Sequence, residues 1–123
     1  MTKILIIGVG GFIGANLRYW VSIEALRILD TFPLGTMVVN VIGCFGLAFF
    51  AGLIQSKLNV SDEVRLLIAT GFFGALTTFS TFSLEAFNLF IDGRQQTAAF
   101  YLISSVVLGL VGVLLGVGLA NSL

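Results

Sequence analysis

Four runs of this chain are long enough and poor enough in charge to cross a lipid bilayer, and that leaves few other ways for it to fold. Residues 4–21 are interrupted only by Arg18, whereas 34–56, 66–84 and 95–123 carry no charge at all. A spanning helix needs roughly 20 mainly apolar residues, so four of them consume most of the 123 residues. With 58% hydrophobic and 10% charged residues and a mean hydropathy of +1.10, the composition lies far from that of a soluble domain. An all-α integral membrane protein is expected, one four-helix transmembrane domain over 1–123 with spans at 3–23, 34–56, 65–91 and 96–121. The first run is too long for a cleavable signal and holds an arginine, so it is expected to stay in the mature chain. The connections around 24–33, 57–65 and 92–96 leave no room for a soluble domain. A single cysteine, Cys44, forbids an intrachain disulfide, and the lack of histidine removes the usual transition-metal sites.

The third run contains the unusual chemistry. Between Gly71 and Glu85 the sequence GFFGALTTFSTFSLE crowds five hydroxyls, two glycines and four phenylalanines together. In hydrocarbon every backbone polar group needs an internal partner, so irregular backbone survives at membrane depth only where protein or a polar cavity surrounds it. Gly71 and Gly74 are expected to permit a break in the helix. Thr77, Thr78, Ser80, Thr81 and Ser83 supply replacement hydrogen bonds with donors to spare. This segment is the expected functional centre.

The basic residues are almost evenly divided. Lys3, Lys57 and Arg65 fall on one face, Arg27 and Arg94 on the other, with Arg18 inside the first span towards the latter. Because Lys and Arg in short loops set orientation, this balance permits insertion both ways and hence antiparallel dimers. The alternative is that Lys3 and the amino terminus fix a single orientation.

The other spans offer fewer polar groups. Gly8, Gly11 and Gly14 imitate a dinucleotide-binding turn, but the βαβ context is missing, so a glycine face for close helix packing is the better reading. Arg18 precedes Tyr19 and Trp20; it either snorkels to the interface or places positive potential at a vestibule. Asn40, one turn after Thr36, either joins helices through its amide or presents amide hydrogens to a solute. Tyr101, Ser105 and Gly109 recur at i, i+4 and i+8 on one helical face, where the hydroxyls line a track or bond their own helix. Gly112, Gly116 and Gly118 read as packing residues.

VNVIG around Asn40, the run GFFGALTTFSTFSLE, the LRYW of Arg18 and the four-span length together resemble the small bacterial fluoride channels, the Fluc or CrcB family. The resemblance covers nearly the whole chain. It implies a dual-topology, antiparallel homodimer in the bacterial inner membrane that conducts fluoride passively out of the cell through two pores. By match, Phe79 and Phe82 line the pores together with Asn40, Tyr101 and Ser105 form the hydroxyl track, and Glu85 follows the phenylalanine pair. This chain has Gly109 where some relatives carry a second serine, which implies a shorter track. The resemblance also implies a structural sodium ion between subunits, held by the backbone carbonyls of Gly74 and Thr77.

Elementary chemistry is consistent with that picture. Fluoride is small and strongly hydrated, so a filter has to replace its water with strong donors, here serine and threonine hydroxyls and Asn40 amide hydrogens. The ring edges of Phe79 and Phe82 carry the positive part of the aromatic quadrupole, and three residues apart they point the same way on a helix. The alternative reading is a small multidrug-type proton-coupled exporter, which needs a titratable carboxylate in mid-span; Glu85 is the one candidate, and it sits in the third span rather than the first. A membrane scaffold without transport is a further alternative. No nucleophile–base pair or metal set suggests an enzyme, and no nucleic-acid partner is expected; fluoride, lipid and a second copy are the expected partners.

Overall fold

The computed structural model describes all residues from Met1 to Leu123. It is entirely helical. α1 (Thr2–Ile28) and α2 (Leu34–Ser56) are followed by a composite third span, made of α3 (Asp62–Arg65), a π-helical stretch (Leu66–Phe73), α4 (Gly74–Leu76) and α5 (Phe79–Ile91), and then by α6 (Gln95–Ser122). Four helical units, Thr2–Ile28, Leu34–Ser56, Asp62–Ile91 and Gln95–Ser122, are long and apolar enough to cross a membrane, as the charge-free runs require. α1 runs past residue 23 to Ile28, and an ion pair between Arg27 and Glu24, one turn apart, dresses this polar extension.

Local chemistry sets the ends. Leu29 turns extended after α1, and Pro33 precedes α2, where its fixed φ suits a helix entry. Ser61 caps α3 by accepting from the Val64 N–H. At the end of α5, Gly93 takes φ +76° while Arg94 N–H returns to the Leu89 carbonyl at 2.9 Å, a Schellman closure that favours glycine. The Arg94 guanidinium also donates to the Thr31 carbonyl, 63 residues away in sequence, tying the turn after α5 to the turn after α1.

Glycines decide how the spans meet. A Cβ on Gly10 or Gly14 would collide with the carbonyl oxygens of Leu67 and Phe72 in the π-helical stretch, and one on Gly71 would lie 2.7 Å from the Ile7 carbonyl. α1 and the third span therefore touch backbone to backbone. The contact face of α1 is Gly10 and Gly14, not the predicted Gly8, Gly11 and Gly14, because Gly8 has nothing within 4 Å. Steps of three residues drift by about 60° each around a helix, whereas a step of four drifts by only about 40°. Gly71 is likewise a packing residue inside the π-helical stretch rather than the place where the helix breaks. On α6, Gly112 and Gly116 lie against the α2 backbone from Val41 to Phe49, while Gly118 has no close neighbour.

A Gly14→Val substitution forces Cβ into the Phe72 carbonyl, and overpacking of this kind costs about 1–3 kcal/mol. Thermal unfolding in detergent should show that loss for Gly14→Val and none for Gly118→Val.

Candidate functional site

The third span breaks at Thr77 and Thr78, both in extended conformation. β-Branched residues accept that backbone easily, and their hydroxyls repair much of the damage. Thr77 Oγ1 donates to the Phe73 carbonyl at 3.0 Å. Thr78 Oγ1 caps α5 by accepting from the Thr81 N–H at 3.2 Å, and it donates to Thr81 Oγ1 at 3.1 Å.

The rest of the repair comes from α2. Asn40 Oδ1 accepts the Thr78 N–H at 2.8 Å, and Asn40 Nδ2 donates to the Thr78 carbonyl at 3.1 Å. The side-chain amide thus pairs with the broken backbone as a neighbouring strand would. Asn40 does join helices, and one Nδ2 hydrogen is left over. Gly43, one turn further along α2, makes room for this approach, since a Cβ there would collide with Thr77 Cγ2.

Diverting these donors frees backbone groups. Thr78 N–H goes to Asn40 and Thr81 N–H to Thr78 Oγ1, so the Gly74 and Thr77 carbonyls receive no hydrogen bond within the chain. Gly74 is exposed and Thr77 half-buried.

Beside the break lies a cavity of about 320 Å³ whose lining includes Asn40, Cys44, Thr77, Phe79, Phe82 and Ser105. No Lys, Arg, Asp or Glu borders it. Phe79 and Phe82 approach with ring centroids 6.0 Å apart. Their environments differ sharply: Phe79 is 81% exposed, whereas Phe82 is 9% exposed and packs in the core with Ala86, Leu89, Ala98 and Tyr101. Ser105, on α6, has its Oγ buried without any hydrogen-bond partner, an uncommon state for a hydroxyl.

Glu85 lies two turns along α5 from the break. Thr36 Oγ1 donates to its Oε1 at 2.8 Å and the Tyr101 hydroxyl donates to its Oε2 at 2.7 Å. Tyr101 is completely buried, so its hydroxyl belongs to this three-residue cluster. The sequence pattern had placed Tyr101 with Ser105 on a track; the fold puts both on one buried face of α6 but gives their hydroxyls separate surroundings. Thr36 was not singled out as a carboxylate partner, although its spacing of four from Asn40 puts the two on one face of α2.

Residues 5–117 match the family described as CrcB-like protein, Camphor Resistance (CrcB). The chain belongs to this family. Relatives that carry the name fluoride-specific ion channel FluC match it over nearly their whole length. The one from Rhizobium etli is 45% identical over 100% of this chain and 99% of its own. That of Chloroflexus aurantiacus is 44% identical over 98% and 97%, and that of a Roseiflexus species 48% over 98% of each.

The remaining predicted positions are spread around the break. Ser80 is exposed, with Oγ 3.4 Å from Thr78 Oγ1. Ser83 donates to the Phe79 carbonyl at 2.9 Å, so its hydroxyl serves its own helix, and it borders a second cavity along α5 and α6 with Phe79 and Phe82. Arg18 lies half-buried on α1 and borders neither cavity. Gly109 faces Cys44, whose sulfur would lie 3.4 Å from a Cβ at that position.

Asn40→Leu should leave both Thr78 backbone groups unpaired and cost about 2 kcal/mol or more, while Thr36→Val, which leaves Glu85 one of its two donors, should cost about 1 kcal/mol. Unfolding in mixed detergent micelles should reproduce that order; equal losses would mean that the amide pairing is not what holds the break.

Proposed function

We propose that this protein is a fluoride-selective channel of the bacterial inner membrane that lets cytoplasmic fluoride leave passively, working as an antiparallel homodimer with two pores. The observation that carries this reading is the cavity beside the break, where hydrogen-bond donors collect without any full positive charge. Full-length likeness to relatives named fluoride-specific ion channels supports it.

The chemistry is one of water replacement. The spare Asn40 Nδ2 hydrogen, the Ser80 and Ser105 hydroxyls and the first N–H groups of α5 offer donors to a small hydrated anion. The edges of Phe79 and Phe82 add weaker positive faces. Absence of lysine and arginine keeps the anion from being trapped. Glu85 stands further along α5, and hydroxyl donors on both of its oxygens soften the repulsion that a bare carboxylate would exert on an approaching anion.

A second copy supplies what one chain lacks. Phe79 and Gly74 are exposed at the break, and irregular backbone at membrane depth requires protein around it. An antiparallel partner laid over this face covers the break and completes both pores. The near balance of basic residues across the two faces agrees with insertion in both orientations.

The same face fits a structural sodium ion. The Gly74 and Thr77 carbonyls are free of hydrogen bonds within the chain, and carbonyl oxygens are hard donors suited to a hard cation. These carbonyls from both subunits would hold the ion, which would supply a counter-charge between the chains.

Liposomes loaded with fluoride and containing the purified protein should release it rapidly to an external fluoride electrode while retaining chloride. The Phe79→Ile, Phe82→Ile variant should fall to the level of protein-free liposomes. Fluoride retention by vesicles that contain folded wild-type dimer would overturn the reading. Exchanging sodium for a larger monovalent cation should weaken the dimer and slow efflux; unchanged dimer stability and flux would argue against a bound ion.

A further inference from the structure

Two stripes of residues, one on α2 and one on α6, run side by side from the Glu85 cluster past the cavity at the break. On α2 the stripe is Thr36, Asn40 and Cys44; on α6 it is Tyr101, Ser105 and Gly109, both at the four-residue spacing that keeps side chains on one helical face. Contacts fix the two ends. Thr36 and Tyr101 both donate to Glu85, and two turns further on the Cys44 sulfur would lie 3.4 Å from a Cβ on Gly109. At about 1.5 Å per residue, the stripes cover about 12 Å of membrane depth.

Their donors are not all in use. Thr36 and Tyr101 serve Glu85, and Asn40 serves the Thr78 backbone. Ser105, 9% exposed, buries its Oγ without any partner, and Cys44 is a free, half-buried thiol that makes no hydrogen bond within the chain. Both line the charge-free cavity beside the break. A buried hydroxyl without an acceptor costs free energy, so the orphaned Ser105 donor in that wall calls for an acceptor from outside the chain. Cys44 faces the same space from the opposite helix, and beyond it on α2 the lining turns apolar at Leu47.

We propose that Cys44 is a residue of the anion path, its S–H giving the passing ion a donor beyond Asn40 and Ser105. This rests on the channel reading and adds to it a position where the wall changes from amide and hydroxyl to thiol. A thiol donates weakly, so it contacts the ion without the hold of another hydroxyl, and conduction requires sites that an ion can leave. Gly109 brings no side chain to this end of the path, which leaves the sulfur at the α6 surface. If Cys44 only packs against Gly109, its thiol is closed to water and indifferent to the ion.

Cys44 is the chain's one cysteine, so the wild-type protein can be labelled at this position alone. In liposomes it is treated with methyl methanethiosulfonate and followed by intact mass. The thiolate, the reactive form, attacks the sulfenyl sulfur, a disulfide bearing one S-methyl group forms, methanesulfinate leaves with the electron pair of the broken S–S bond, and the thiol proton goes to buffer. The folded protein should take up one group, several-fold more slowly in fluoride than in equal chloride. The labelled protein should release fluoride at least tenfold more slowly, and dithiothreitol should restore both mass and flux. Cys44→Ala should slow efflux roughly two- to tenfold, as loss of one neutral hydrogen bond does, and Cys44→Ser, which keeps a donor, should recover part of that loss. A thiol that reacts only after unfolding in dodecyl sulfate would overturn the proposal. So would labelling at one rate in fluoride and chloride, or labelled protein that conducts as before. Protection by fluoride is read from mass without any flux, so failure of the channel reading and failure of the Cys44 site give different results.

Discussion

The pairing of the Asn40 amide with the Thr78 backbone is the interaction on which the rest of this fold depends. A helix that stops in mid-membrane strands carbonyl and amide groups where no water can reach them, each at a cost of several kcal/mol. One side chain from another span meets an N–H and a C=O at once, at 2.8 and 3.1 Å. Because it reaches from α2, it also fixes the depth of α2 relative to the third span, and with it the positions of Thr36 against Glu85 and of Gly43 against Thr77. The threonine hydroxyls then need to satisfy only the remaining turn on each side.

Close packing makes that reach possible. A side chain as short as asparagine bridges two helices only when their backbones nearly touch, and in a bilayer that closeness comes from small residues rather than from exclusion of water. The glycines of α1 bring the third span in from one side, while those of α6 draw α2 in from another. Tyr101 occupies the enclosed corner between α5, α6 and the Phe32 ring, 5.5 Å away in an edge-on arrangement, so the carboxylate it serves is held from a rigid wall.

Much of this was legible in the sequence. The four spans follow from hydropathy alone, and the hydroxyl-rich run located the irregular segment. The exact residues of the break were not legible from the glycines: Gly71 and Gly74 looked like its cause, but both are helical, and the break falls on Thr77 and Thr78. The N-cap spacing from Thr78 to Thr81 was the available clue. The partners of Glu85 were hidden for another reason. Thr36 lies 49 residues away and Tyr101 lies 16 away, and nothing local in a sequence says which hydroxyls the folded bundle will turn towards one carboxylate. The predicted glycine face of α1 failed on angular drift, a matter of helical geometry rather than of composition.

The break has an electrostatic consequence as well. An unbroken span carries one macrodipole, with opposite partial charges of about half a unit confined to its two ends near the headgroups. Interrupting it at Thr77 and Thr78 makes two shorter dipoles head to tail, so a negative pole at the end of α4 and a positive pole at the start of α5 confront each other deep in the membrane. The potential there is bipolar over a few ångströms while remaining neutral at a distance. A low-dielectric interior thereby acquires adjacent places that favour ions of opposite sign, without a single formally charged side chain at either pole.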